Sequence, residues 1–355
     1  MNKKLNIAVL LPSLDNKGSL IVAKDIVNNT ILDYPDFANF TVFYFDEIFG
    51  LDLNCDCKQI NYKGNFLFEN FDIIHSHGYR PDLYLAKRLS KIDGKIISTI
   101  HCDVFDYFKI IYNYFISIFF GKKWINALKK KNLVITLTKF HYYKYAKFIN
   151  QDKLKVIYNS RLIDNDPIPK TDIDFFQSLR KKYINHNIIG AFAVLTPVKG
   201  LDQVIKALPN LKKHLFIVMG EGPEMKKLKA LSIKLGVSDR VFFLGYKKDA
   251  NRYMKFIDVY VQPSHTEAFP LSLIEACYSG VSSVCSNIPV LEEVYTDDEV
   301  TFFELDNIKS LQYGIERATK EKATLGANAK SKTLNSYSMK QMVENYMNVY
   351  KDLVK

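Results

Sequence analysis

Short apolar runs rich in β-branched residues recur along the chain, with longer helical stretches between them. In the first half they cover residues 6–11, 40–45, 71–75, 95–100, 133–137 and 154–158. In the second half they cover 188–195, 214–219, 240–244, 259–262, 282–285 and 300–303. Runs that are apolar throughout, rather than alternating, belong to strands buried on both faces. Strands that alternate with helices form parallel βαβ units. Two consecutive series therefore predict an α/β protein of two doubly wound domains. The join falls within 160–174, where Asp164-Asn-Asp-Pro167 and Pro169 interrupt regular structure.

Composition narrows the class. The 355 residues suit two domains, and 48% hydrophobic with 25% charged residues excludes disorder, collagen and coiled coil. The apolar run at 5–12 is short for a signal peptide and is followed at once by Asp15. No run of about 20 apolar residues is present, so no membrane-spanning helix is expected. Cys55, Cys57, Cys102, Cys277 and Cys285 are odd in number and lack a CxxC pair, the pattern of reduced thiols in a cytosolic protein. A net charge of +11 predicts an anionic partner: nucleic acid, a lipid surface or a phosphorylated small molecule. No nucleic-acid-binding signature accompanies the lysines, so nucleic acid is set aside.

Ligands of doubly wound sheets bind beyond the carboxyl ends of the strands, and in a two-domain protein the default site is the cleft between domains. One strand-to-helix stretch carries the most chemistry: Gln262-Pro-Ser-His-Thr-Glu267-Ala-Phe269-Pro270-Leu271-Ser272-Leu-Ile-Glu275-Ala-Cys-Tyr-Ser-Gly280. Pro270 suits a first helical position and Gly280 a stop. Amides of Leu271 and Ser272 would be unpaired donors at the helix start, a ready site for an anion. Glu267 and Glu275 would grip hydroxyls on either side of a diphosphate, or else serve only as solvated acids favoured by the helix dipole.

This stretch resembles the E-x7-E signature of retaining glycosyltransferases of family 4. Thr196-Pro-Val-Lys199-Gly200 resembles the family's donor-phosphate lysine motif, Met219-Gly220-Glu-Gly222-Pro223 its G-x-G-P turn, and Val241-Phe-Phe-Leu244-Gly245 its strand beside the nucleobase. Ile74-His-Ser-His77 and Thr99-Ile-His101 resemble its N-terminal strand ends, and Gly18 sits in its glycine-bearing first loop. Residues 338–355 resemble the terminal helix that crosses back to the first domain. The resemblance implies the GT-B fold: two Rossmann-like domains facing across a cleft, an acceptor domain of 1–163 plus 338–355 and a donor domain of 164–337.

The resemblance also implies roles. Glu275 would accept from the ribose hydroxyls, Glu267 would lie by the donor sugar, and Lys199 would neutralise the diphosphate. Gly18, Gly220, Gly222, Leu244, Gly245, Phe269, Leu271 and Ser272 complete the donor set. His101 would face the sugar and its leaving phosphate from the acceptor side, with His77, Arg80 and Asp103 beside it. His101, Glu267 and Lys199 are the catalytic expectations, acting by electrostatic stabilisation of the leaving group. No cofactor and no metal is expected, because the lysine and the helix start take over the cation's part. Asp164-Asn-Asp166 and Asp172-Ile-Asp174 are read as turn and helix-start acids. One departure stands out: where the family carries arginine five residues before the lysine, this chain has Val194. Arg80 and Arg161 are candidates to cover that deficit.

Aromatics interleaved with lysines across 105–147 suit the interface of an anionic membrane, or a helix that covers the first sheet with solvated lysines. The expectation is a metal-independent, retaining hexosyltransferase in the cytoplasm, at the inner face of the cytoplasmic membrane. It would move a sugar from a nucleotide-diphospho-sugar, UDP-linked in the first instance, to a cell-surface polysaccharide (lipopolysaccharide or capsule) or lipid-linked oligosaccharide. A nucleotide-sugar epimerase or phosphorylase of the same fold, and a catalytically degenerate partner subunit, are the alternatives.

Overall fold

The computed structural model describes residues 3–105, 114–163 and 166–355. The chain divides into two compact units, Met1–Arg161 with Ser338–Lys355, and Leu162–Tyr337. The division precedes Leu162, whose carbonyl accepts from Asn251 Nδ2 of the second unit at 3.1 Å. The Asp164-Asn-Asp166 turn lies partly outside the described residues.

Unit 1 is built on a parallel sheet in the order β3-β2-β1-β4-β5-β6-β7. Its strands are β1 (Leu5–Leu14), β2 (Ala38–Phe49), β3 (Asp56–Gln59), β4 (Ile73–His77), β5 (Lys95–Thr99), β6 (Leu133–Thr136) and β7 (Leu154–Val156). β1 occupies the middle, with Val9 paired to Val42 on one side and to His75 on the other. Ile7, Ala8, Leu10 and Leu11 are wholly buried, as a strand covered on both faces requires. The helices are α1 (Gly18–Asp33), α2 (Tyr79–Ala86), α3 (Tyr114–Leu128) and α4 (Lys139–Tyr145). β3 was not expected from the sequence. Its four residues, Asp-Cys-Lys-Gln, are all exposed at the sheet edge, so no apolar run announces them.

Unit 2 is also parallel, in the order β10-β9-β8-β11-β12-β13. The strands are β8 (Asn187–Phe192), β9 (His214–Met219), β10 (Val241–Phe243), β11 (Val259–Gln262), β12 (Ser282–Ser286) and β13 (Thr301–Phe303). Its helices are α5 (Lys170–Lys182), α6 (Leu201–Ala207), α7 (Met225–Lys234), α8 (Leu271–Tyr278), α9 (Pro289–Val294), α10 (Ile308–Lys320) and α11 (Lys322–Ser336). Asp172 lies in the first turn of α5 and takes Lys247 Nζ at 2.8 Å, a structural ion pair as expected for a helix-start acid.

The last helix, α12 (Met339–Val354), belongs to unit 1. Ser338 and Gln341 close a capping box at its start. Met339, Met342, Val343, Tyr346 and Tyr350 recur at helical spacing and are buried. In both sheets strand order reverses beside the first strand, between β1 and β4 and between β8 and β11. A crevice at the carboxyl ends is expected at each reversal.

Candidate active site

In unit 2 the reversal brings the loop after β8 beside the loop after β11. His265 N donates to Val198 O at 2.8 Å, which laces the two together. Gly200 adopts φ 61°, and a Cβ there would stand 2.1 Å from Pro263 O. Only glycine permits that approach. The result is the meeting of two expected site residues: Lys199 Nζ lies 2.6 Å from Glu267 Oε1. Gln262 Nε2, at the end of β11, donates to the same oxygen at 2.9 Å. The carboxylate is thus held by one charged and one neutral donor.

The turn after β9 closes against β8 in the same way. Gly220 N donates to Gly245 O at 2.8 Å, and a Cβ on Gly220 would stand 1.9 Å from Ala193 O. Leu195 N donates to Glu221 O at 2.8 Å, and Gly222 passes close to the Leu195 carbonyl. Leu244 N donates to Val218 O at 2.9 Å. The expected residues 220, 222, 244 and 245 therefore form one laced edge against the backbone that follows β8 at Ala193–Leu195.

α8 begins at Leu271, with Pro270 as its N-cap rather than its first residue. Leu271 N donates to Phe269 O at 3.0 Å, which withdraws one of the two amides expected to face an anion. Ile274 N to Pro270 O, at 2.9 Å, opens the helical ladder, so the amides of Ser272 and Leu273 precede it. Phe269, also expected in the donor set, has a buried side chain with its ring 5.9 Å from that of Tyr337. Glu275 is half-buried in the second turn, 3.4 Å from Asn251 Nδ2. Tyr260, on the neighbouring strand, has its hydroxyl pushed far up by burial, with the Glu275 and Glu267 charges adding to the rise. Gln262, Tyr260 and Asn251 were not expected site residues. Period-two spacing puts Tyr260 and Gln262 on one face of β11, a signal the sequence did contain.

Val194, where the family's arginine would stand, is 63% exposed. Neither expected substitute is a spare cation. Arg161 Nη1 is bonded to Asp25 Oδ2 at 2.9 Å and is buried. Arg80 forms a two-pronged pair with Asp46.

In unit 1, the ends of β1, β4 and β5 line a pocket of about 590 Å³. Lys17, Asp46, His77, Arg80, His101 and Trp124 are among its walls. Gly18 opens α1 at its rim, beside the Lys17–Asp15 ion pair. His77 Nδ1 and His101 Nε2 share a 2.8 Å hydrogen bond. Beneath them the His75 ring lies tilted against His77 at 4.1 Å, and His75 bonds to Tyr350 Oη and Thr99 Oγ1, each at 2.8 Å. Burial holds His75 and His101 down at about 3 and His77 well below its usual value, so all three rings are neutral near pH 7. Trp124 Nε1 donates to the buried Asp82 at 2.7 Å, which fixes the indole in the wall. Lys131, also fully buried, lies 3.6 Å from that carboxylate and is pushed down to about 8 by its burial. Asp103, expected beside His101, is buried, ion-paired with Lys144 and accepts from Phe105 N at 3.0 Å. Among the described residues no group of three or more His, Cys, Asp or Glu is placed to hold a metal.

Comparison with known proteins bears on the family and the fold. The family model "Glycosyltransferase Family 4" matches residues 61–160, and "Glycosyl transferases group 1" matches 172–336. The chain is 29% identical to the O-antigen biosynthesis glycosyltransferase WclY of Escherichia coli, over 98% of this chain and 99% of that one. It is 23% identical to the E. coli UDP-Gal:alpha-D-GlcNAc-diphosphoundecaprenol alpha-1,3-galactosyltransferase, over 81% of this chain and 76% of that one. Among solved structures, Anabaena HepE, crystallised with UDP and glucose, superposes with a TM-score of 0.82 at 18% identity, over 98% and 99% of the two chains.

Proposed function

The chain is a glycosyltransferase of the family 4 type with the GT-B fold, and from that premise we propose that it acts in polysaccharide biosynthesis, transferring a hexose with retention from a UDP-sugar to a lipid-linked or cell-surface saccharide. The observation that carries the reading is the Lys199–Glu267 pair, set by Gly200 and Gln262 at the reversal of the unit 2 sheet. The UDP donor rests on the relatives whose names or structures carry UDP. Lys199 takes the diphosphate as a point charge, the amides ahead of the α8 ladder take a phosphate oxygen, and Glu275 takes the ribose hydroxyls. Glu267 accepts from hydroxyls of the donor sugar.

In the transfer, the bond from the anomeric carbon to the β-phosphate oxygen breaks and a bond to the acceptor oxygen forms on the same face. The acceptor proton passes to the departing phosphate oxygen. Charge grows on that phosphate, and Lys199 with the helix start supplies the positive potential there in place of a metal. The acceptor saccharide occupies the unit 1 pocket, where neutral His101, oriented by His77, is a hydrogen-bonding partner for sugar hydroxyls. Exposed Phe115 and Phe119 on α3 and Tyr143 on α4, among lysines, are the proposed contact with an anionic membrane on its cytoplasmic side. Residues 106–113 of the segment expected at the membrane lie outside the described residues. Among the described residues no helix is long and apolar enough to cross a membrane.

The test is calorimetric titration with UDP, GDP and ADP without metal, on wild type and Lys199→Ala. Selective UDP binding that weakens roughly tenfold or more in the variant is expected, as for loss of one charge-assisted bond. Absence of binding to all three nucleotides would overturn the reading and favour a degenerate partner subunit.

A further inference from the structure

Beside the unit 1 pocket lies a second cavity, of about 510 Å³, at the carboxyl ends of β2 and β3. Phe45, Asp46, Gln59, Asn61, Tyr62 and Lys63 line it, and Arg80 completes the wall. Asp46 and Arg80 line both cavities, so the Arg80–Asp46 pair forms their shared wall. The sheet order places β2 and β3 about two strand spacings, or roughly 10 Å, from the β1–β4 reversal. Two linked pyranose rings span such a distance.

The cavity is preformed. Ile60, 6% exposed, anchors its floor, and Ile60 N donates to Tyr44 O at 2.8 Å. The following turn is tied by Gly64 N to Asn61 O at 3.0 Å, and Gly64 O accepts from Arg88 Nη2 at 2.6 Å. Tyr62 meets Phe45 edge-on at 5.0 Å, and the Arg80 guanidinium lies 4.8 Å from the Tyr62 ring centre. The Asn61 amide N–H groups, the Lys63 ammonium and the Tyr62 hydroxyl make no hydrogen bond among the described residues.

The mixture selects a ligand class. A phosphate would call for donors alone, and an apolar ligand would leave the Asn61 amide, the Lys63 ammonium and the Tyr62 hydroxyl unmatched. A pyranose offers C–H faces to Tyr62 and hydroxyls that both donate and accept at its edges. Asp46 and the Gln59 carbonyl accept, while Asn61, Lys63 and the remaining Arg80 N–H groups donate. We propose that this cavity is a second saccharide subsite, which holds the sugar preceding the one to be extended, so that the acceptor is a chain of at least two pyranoses. The proposal deepens the glycosyltransferase reading and rests on it.

The test uses the full chain on an array of immobilised mono-, di- and trisaccharides of glucose, galactose and N-acetylglucosamine, with UDP titration of the same preparations. Wild type should retain at least one di- or trisaccharide about tenfold better than its terminal monosaccharide, the gain from two added hydrogen bonds. Tyr62→Ala and Asn61→Ala should abolish that gain while monosaccharide retention and UDP binding stay unchanged. Asn61 is exposed, so its variant keeps the test valid should Tyr62→Ala fold poorly. Equal retention of mono- and disaccharides, an undiminished gain in both variants, or UDP binding with no glycan retained would overturn the subsite. Loss of UDP binding in the wild type would instead bring down the glycosyltransferase reading itself.

Discussion

Lys199 Nζ and Glu267 Oε1 lie 2.6 Å apart, so the two side chains to which separate tasks on a donor are proposed hold each other. Glu267 is nearly buried while Lys199 keeps partial access to solvent, with side-chain exposures of 9% and 29%. A diphosphate that takes Lys199 therefore competes with this carboxylate. Glu267→Gln keeps the size and leaves Gln262 a carbonyl to bond, but removes the competing charge. UDP should then bind about two- to fivefold tighter, the value of a partly exposed ion pair, while sugar transfer falls more than tenfold. Titration and initial rates on one preparation check both signs. Weaker UDP binding in this variant would show that Glu267 supports the nucleotide directly.

Val194 offers the opposite experiment. Its side chain is 63% exposed just beyond β8, so a longer residue meets no core. Val194→Arg restores the cation that the family usually carries beside the lysine. Tighter UDP binding is expected, by about tenfold, from one added charge-assisted bond discounted for exposure. The melting temperature should not move. Unchanged affinity would mean that donor binding here follows a different route from the family's.

Gly200 can be tested against a control in the same unit. Gly200 and Gly236 both adopt left-handed backbone, φ 61° and 66°, so alanine costs each about 1–2 kcal/mol. At Gly236 a Cβ would meet nothing within 4 Å, whereas at Gly200 it would collide with Pro263 O. Gly200→Ala should therefore lower the melting temperature further than Gly236→Ala and also cost UDP affinity, because relief of the clash moves the loop that carries Glu267. Equal effects of the two substitutions on UDP affinity would dissociate the glycine from the site.

The parts legible in the sequence share a cause. Strands such as β1 and β9 are buried on both faces, so their apolar runs need no partner to be recognised. Lys199, Gly200 and Glu267 follow strand ends, β8 and β11, which pair at the sheet reversal, so their meeting follows from the strand order the sequence predicts. What stayed hidden depends on pairing across sequence. Asp46 and Arg80 are 34 residues apart, and Asp103 and Lys144 are 41 apart, yet each pair turns an expected free group into a tied one. β3 stayed hidden because an exposed edge strand has no apolar pattern, although it builds the wall of the second cavity.

The adjoining buried histidines, His75 and His77, make stability depend on pH in a defined direction. His75 and His77 are buried and neutral, His75 with its value held at about 3 and His77 well below 6.5, whereas in the unfolded chain each takes up a proton near 6.5. Below that pH the unfolded state binds more protons than the folded one, so the stability they confer is present above about 6.5 and is lost progressively as pH falls below it. The slope is about 1.4 kcal/mol per pH unit for each ring, so roughly 3 kcal/mol per unit for the two. Against a typical total of about 5–15 kcal/mol, the protein should be markedly less stable at pH 5.5 than at 7.5. Denaturant titrations at the two pH values measure the difference. His75→Leu loses bonds to Tyr350 and Thr99 and is less stable at pH 7.5, but its slope should shrink by one ring's share. An unaltered slope would place the proton uptake on other groups.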